Sequence, residues 1–396
     1  MAIEVYVTNA RRAYELAAHY RATGAHVCLG GLHVTACPEE AAMHADSIFL
    51  GPGDDTWPLF LKDFRAGRPQ ATYKSTQRCL HDTPMPRRDL IDRNRYLAPN
   101  SIVVSRGCPH TCNFCYKESF FDGGRSFYTR RVDEALAEID SLPGRHLFFL
   151  DDHLFGDDVF ARGLLDGMRG MGRVWQAAGT VESVLRPGLM EAAAQSGLRS
   201  LFIGFETLSQ SGLEACGKRQ NQMAEYERAV AHLHELGIMI NASFVFGIDG
   251  DGPDVFERTT QWAIGQGVET ATFHILTPYP GTVLHRRLTA EGRMLTADWD
   301  RYDTRHVVFE PRGMSAQELE RGYWRAYREF YSWRSIVRGT LGRKTASERM
   351  RHFAYQVGWK KAEPVWDALI RTRRLAMAVP LLERMLASTD ADKHRC

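Results

Sequence analysis

Three cysteines, Cys108, Cys112 and Cys115, fall within "SRGCPHTCNFCYKE", residues 105–118. Thiolates are soft ligands suited to zinc and to iron–sulfur clusters, and structural sites of both kinds usually take four protein ligands. Three ligands leave one coordination position open, and an open position is where a metal centre can bind and activate a small molecule. Zinc sites favour C-x-x-C twice, or C-x-x-C with two histidines, whereas the spacing here is C-x-x-x-C-x-x-C. His110 lies inside the loop between two of the thiols, badly placed to reach round to the same metal. The pattern is read as a 4Fe–4S cubane anchored at three irons, with structural zinc and chance clustering as the alternatives.

Such a loop needs a rigid frame, and the frame is periodic. Apolar runs at 101–105, 146–150, 174–180, 200–205, 238–247 and 270–276 read as strands, separated by amphipathic segments such as "VDEALAEID" and "AEYERAVAHLHELG". Six β/α units in about 180 residues fit an α/β fold, a partial barrel of parallel strands, in which ligands bind at the carboxyl ends. The trio directly follows the first of these strands, which places it in the barrel mouth.

With these residues in view, the chain resembles the radical S-adenosylmethionine (radical SAM) superfamily. "CPHTCNFC" matches that family's signature, including the aromatic residue Phe114 before the last cysteine. The resemblance implies that S-adenosylmethionine chelates the open iron and is reductively cleaved to a 5′-deoxyadenosyl radical. It also implies cofactor contacts from Phe114, from Asp151 in "FLDDHLF", from Gly204 and Glu206 in "IGFET", and from Gly247 in "VFGIDGD". A reductase, or a flavodoxin or ferredoxin, would supply the electron. The resemblance spans about residues 100–285.

"LGGLHVTACPEEAAMHADSIFLG" resembles the last part of the cobalamin-binding domain that precedes many radical SAM barrels. Gly30, Gly31 and His33 are its candidate cobalamin-facing residues. The β–α–β–α–β order of residues 1–70 fits a partial Rossmann-like domain, short of the upstream units and of the Asp-x-His-x-x-Gly loop of many cobalamin proteins. Cobalamin is therefore left open as a cofactor. The implied reaction is methylation or another functionalisation of an unactivated C–H carbon; cobalamin-free oxidation, cyclisation or rearrangement is the alternative. A non-catalytic iron–sulfur or zinc scaffold is the reading of a different class. The substrate, small molecule or peptide, is not named by the sequence.

The remaining chain divides into a Pro- and Arg-rich linker at 71–100 and a helical region at 290–396. In that region "AQELERGYWRAYREFYSWRSIV" reads as one long helix whose aromatics pack on the barrel, and the segment 348–375 as a helical pair. Fifty basic residues against 48 acidic give a net charge of +2, which argues against a nucleic-acid partner. No apolar run is long enough to span a bilayer, and no signal peptide opens the chain. The other cysteines, Cys28, Cys37, Cys79, Cys216 and Cys396, belong to no motif and are expected as reduced thiols in a cytoplasmic protein.

Overall fold

The computed structural model describes residues 1–378 apart from 97, 122–125 and 344. Cys396 and the end of the helical region lie outside the described residues. Four short strands open the chain, β1 (Ala2–Glu4), β2 (Cys28–Gly30), β3 (Ser47–Leu50) and β4 (Thr72–Lys74). They pair in sequence order, all parallel. Parallel neighbours need crossovers, supplied by the helices Ala10–Ala22, Pro38–Ala42 and Thr56–Arg65. Ala10, Ala13 and Ala17 let the first helix lie close on Val5, Val27 and Leu29. The sheet runs past residue 70, because Tyr73 stacks on Phe49 and joins Phe60 in a buried aromatic cluster.

The rest of the chain carries β5 (Ser101–Ile102), β6 (Ser105–Gly107), β7 (Phe127–Thr129), β8 (His146–Phe149), β9 (Val174–Gly179), β10 (Leu198–Glu206), β11 (Met239–Phe246) and β12 (Thr270–Ile275). Six of these form a sheet of order β5-β8-β9-β10-β11-β12, parallel at every pairing. This is the expected partial barrel. One detail differs from the sequence reading, which gives a single strand over 101–105. The buried carboxylate of Asp151 takes the backbone N–H groups of Val104 and Ser105 and the Ser105 hydroxyl. With those donors diverted, the ladder stops, and the chain re-pairs as β6 in an antiparallel ribbon with β7.

The strands expose two unlike faces. Alternate residues share a face. Phe149, Trp175, Leu201, Ile203, Phe205, Phe244 and Phe273 face the helices in one continuous core. The other face carries Phe148, Gln176, Ala178, Phe202, Asn241, Ser243 and Thr272, aligned across the strands by register. A barrel filled only for stability holds layers of branched apolar side chains. Here the lumen face is mixed, and Phe202 is 37% exposed in mid-sheet. Val174, Met239 and Tyr355 close its amino end.

The long helix expected at 316–337 is two helices, Ala316–Phe330 and Trp333–Leu341. Ser332 adopts extended backbone and its hydroxyl accepts from the N–H of Ser335, which caps the second helix and breaks the first. The expected helical pair is present as Ala346–Gln356 and Glu363–Arg371. No helix among the described residues is long and apolar enough to cross a membrane.

Glu269, 3% exposed, ties this helical region to the barrel. It accepts from Arg343 at 2.6 Å and from the N–H of Ile240 at 2.9 Å, and His234 lies 3.5 Å away. Burial alone would raise its carboxyl, but His234, Arg343 and the Ile240 N–H outweigh burial and hold it down at about 2. Glu269→Ala is expected to cost about 3–5 kcal/mol in urea unfolding, since it strands a buried charge. Because the folded value is depressed, this stabilisation is present above the usual glutamate value of about 4.3 and is lost as pH falls toward 2. An unfolding midpoint that is unchanged in Glu269→Ala would refute this account.

Candidate active site

The cysteine loop leaves β6 through Gly107, whose φ of +75° places it in the left-handed region. A Cβ there would collide with the Ser126 carbonyl and lie 2.9 Å from the Phe121 ring. Ser126 in turn accepts from the N–H of Cys108 at 2.9 Å and donates its hydroxyl to the Cys108 carbonyl at 3.1 Å. The buried ammonium of Lys117 donates to the carbonyls of Cys108 and His110. Asn113 fastens the loop across the mouth. Its N–H and side-chain amide donate to the carbonyls of Cys216 and Ala215 after β10, and its carbonyl accepts from Leu284 after β12. The loop is therefore shaped mainly by hydrogen bonds that do not involve sulfur; among the described residues, only Gln220 donates to a thiol of the trio, Cys112, at 3.7 Å.

Cys108, Cys112 and Cys115 are all half-buried along this loop. Burial pushes the Cys108 thiol up, and pushes Cys115 up to about 12. Thiols so placed ionise only against a strong cation, which a bound metal cluster supplies. Two groups of three donors among the described residues have all their ligand atoms within 4.8 Å, and the cysteine trio is neither of them. Its sulfurs are wider-set than a single tetrahedral ion with bonds of about 2.3 Å requires, which suits a multi-iron cluster. Two buried cations lie close by. Lys117 is one. The other, Lys218, is ion-paired with Glu206; burial would lower it, but Glu206 and the nearby Cys112 hold it above its usual range. Both favour a site of net negative charge.

The other anticipated residues are distributed as follows. Phe114 is half-buried against the main core. Asp151 lies under the loop, one oxygen used on Val104 and Ser105 and the other without a partner. Its neighbour Asp152 accepts the Tyr116 hydroxyl at 2.8 Å, linking the β8 end to the cysteine loop. Glu206 ends β10 at a φ of +67°. Gly204 leaves the room that the Glu206–Lys218 pair occupies, for a Cβ there would meet both. Gly247 backs onto Leu319 and Phe309. In the N-terminal domain, Gly31 packs against the backbone of Val5, and His33 is buried, 3.1 Å from Glu40, with the ring of Trp299 edge-on to it. Between Tyr6, Leu32, His33, Tyr116 and Tyr279 a gap of about 20 Å³ remains.

Sequence reasoning missed Lys117, Lys218 and His274. His274 follows the alternation of β12 into the lumen, and burial holds its imidazole below the usual range. It also missed His153, 1% exposed with both ring nitrogens unpartnered, whose ring centroid lies 5.5 Å from that of His110. Their donor atoms lie with Glu182 in one of the two compact groups. Glu182, however, is fully engaged by Arg186 at 2.8 and 2.9 Å, so it offers no free carboxylate to an ion.

The comparison with known families covers these same elements: residues 102–263 match the model of the radical SAM superfamily. The chain carries a radical SAM domain. Relatives extend the likeness beyond it. The chain is 29% identical over 354 residues to the bacteriochlorophyllide d C-12(1)-methyltransferase of Chlorobaculum tepidum, covering 87% of this chain and 77% of that protein. It is 27% identical over 357 residues to the C-8(2)-methyltransferase of the same organism, covering 84% and 78%. Among solved structures, the radical SAM methyltransferase TsrM from Kitasatospora setae, with cobalamin and a [4Fe-4S] cluster bound, superposes with a TM-score of 0.67. The identity is 14%, over 95% of this chain and 88% of TsrM, a likeness of fold. The radical SAM domain implies a 4Fe–4S cluster and S-adenosylmethionine, and together with the methyltransferase relatives it marks the chain as an enzyme.

Proposed function

We propose that Cys108, Cys112 and Cys115 hold the three anchored irons of the cluster, and that the enzyme uses the resulting radical to functionalise an unactivated C–H carbon. The observation that carries this reading is a loop of three thiols, pre-shaped mainly without sulfur, set over a lumen of mixed polarity. When bound, the cluster supplies the electron that cleaves S-adenosylmethionine to methionine and the 5′-deoxyadenosyl radical. The chain's own residues do the rest. Lys117 and Lys218 balance the negative charge of cluster and donor. Asp151 and Asp152 fix the loop and the β8 end in mutual register. The closed amino end of the barrel keeps bulk water from the lumen, and Phe148 and Phe202 offer the substrate an apolar wall. Hydrogen abstraction there yields 5′-deoxyadenosine and a substrate carbon radical. Methyl is the group we assign to that carbon, on the strength of the methyltransferase relatives; a second S-adenosylmethionine would supply it, leaving as S-adenosylhomocysteine, with a second electron from the reductant.

A second reading, cobalamin-free oxidation, cyclisation or rearrangement, is favoured by one observation. In open α/β sheets, ligands lie beyond the carboxyl ends of the strands. Here Tyr6 and Gly51 at those ends pack toward Tyr279 and Phe120 of the barrel, and Tyr116 lines the same gap as Tyr6. The 20 Å³ gap does not fit a corrinoid, and buried His33, paired with Glu40, presents no ligand to one. No step is routed through cobalamin for this reason. The test is anaerobic reconstitution with iron and sulfide, then S-adenosylmethionine and a low-potential reductant. Brown protein with four irons that forms 5′-deoxyadenosine is expected. Iron-loaded protein that never forms it overturns the proposal. Titration with hydroxocobalamin separates the two readings: stoichiometric binding, followed by a product heavier by one methylene, selects methylation through a corrinoid.

A further inference from the structure

The amino ends of β11 and β12 open onto a second cavity, of about 710 Å³, walled on its other side by the helices Trp333–Leu341 and Ala346–Gln356. Parallel strands carry all their carboxyl ends one way, so this cavity lies at the opposite end of the barrel from the cysteine loop. The Val174–Met239–Tyr355 plug divides it from the lumen. It belongs to no part of the chemistry described above.

Three arginines and three glutamates line it, but they are not all paired. Glu269 is satisfied by Arg343 and the Ile240 N–H. Glu348 accepts from the N–H of Thr345 at 3.4 Å and has a further partner. Glu235 is exposed to solvent. Arg351 is different: it is only 8% exposed and lines the cavity, yet it makes no hydrogen bond or ion pair with any described residue. The side chain of Arg338, on the facing helix and also lining the cavity, makes none either. A guanidinium taken out of water without a counter-charge is costly. Burial lowers the Arg351 guanidinium from its ordinary range, and Glu269 and Glu348 only partly offset this. Two unpaired guanidinium forks facing one space match the planar oxygens of a phosphate or carboxylate. The volume is that of a small-molecule site, within the usual span of about 300–1,000 Å³. Gly237, Gly265, Gly267 and Gly342 form part of the wall and put no side chain into the space.

We propose that this cavity binds a small oxyanion-bearing molecule, clamped between Arg351 and Arg338. Phosphate and carboxylate share the recognising chemistry, so both are offered. Inorganic phosphate and citrate are titrated separately into the full-length reconstituted enzyme by calorimetry, at constant ionic strength set with sodium chloride. Saturable binding of one anion per chain is expected for at least one of the two, and the one that saturates identifies the ligand's headgroup. Arg351→Gln and Arg338→Gln are each expected to weaken it by about tenfold or more, the effect of losing one charge-assisted bidentate contact. Arg338 is exposed and unpaired, so its variant folds even if Arg351→Gln does not. The proposal is overturned if neither anion saturates the enzyme, or if Arg338→Gln binds as the parent does.

Discussion

Cys108→Ala, Cys112→Ala and Cys115→Ala each give folded protein that no longer makes 5′-deoxyadenosine. Folding survives because the loop is tied by Lys117, Asn113 and Ser126 rather than by the thiols. Activity does not, because two thiolates leave a second iron unanchored and the cluster is lost or rearranged. The expected fall is more than about 10³-fold, well beyond the ~10–100-fold that follows from losing a partner that merely orients a ligand. Iron content per chain falls in parallel. Cys79→Ala is the control: Cys79 is exposed and belongs to no motif, and its loss leaves both iron and product unchanged. Product formation retained by any of the three loop variants would remove the trio from the chemistry. The same experiment read at Tyr116→Phe gives a graded result. Without the hydroxyl, Asp152 loses the 2.8 Å contact that links the β8 end to the loop, and a drop within that ~10–100-fold band is expected.

The trio was legible because its information is local: three ligands within eight residues, directly after an apolar run. The parallel strands were legible for the related reason that strands buried on one or both faces read as short apolar stretches. What escaped depends on residues far apart in the chain. β5 and β6 divide because of Asp151, which lies on the far side of the loop and of β7. Lys218 becomes a buried cation only because Glu206 turns through a positive φ and Gly204 vacates the space between them. Neither fact has a signature in "IGFET" itself. The break at Ser332 is the opposite case. Ser332 followed by Ser335 is an ordinary N-cap pattern, and the run of aromatics around it masked the signal. In the N-terminal domain the glycine–histidine pattern left cobalamin open, and the local sequence could not reveal that Trp299 lies edge-on to His33 and donates to Glu40.

The aromatic helix gives the other large effect, on stability. β12 ends the sheet, so among the described residues one side of its backbone has no strand partner. Edge strands left open invite aggregation. Here two tyrosines take the place of the missing strand. The N–H of Ala271 donates to the Tyr331 hydroxyl at 3.1 Å, and that hydroxyl donates to the Ala271 carbonyl at 2.9 Å. Tyr327 repeats the arrangement on Phe273, at 3.1 and 3.3 Å. Both residues of β12 are buried, so water cannot replace the hydroxyls. Tyr331→Phe keeps the ring and removes only the cap, at about 1–3 kcal/mol for each buried group left unpaired. Truncation after residue 290 removes both caps together with Leu319, Tyr323 and Phe330, each burying a side chain against the barrel at about 1.5–3 kcal/mol. The combined loss approaches the whole stability of a typical domain, about 5–15 kcal/mol. The truncated chain is therefore expected to be insoluble, while Tyr331→Phe stays soluble, unfolds at lower urea and still makes 5′-deoxyadenosine, since its hydroxyl acts on the outer edge of the sheet. A truncated chain that remains soluble with an unchanged near-ultraviolet dichroism spectrum would show that β12 does not need this helix.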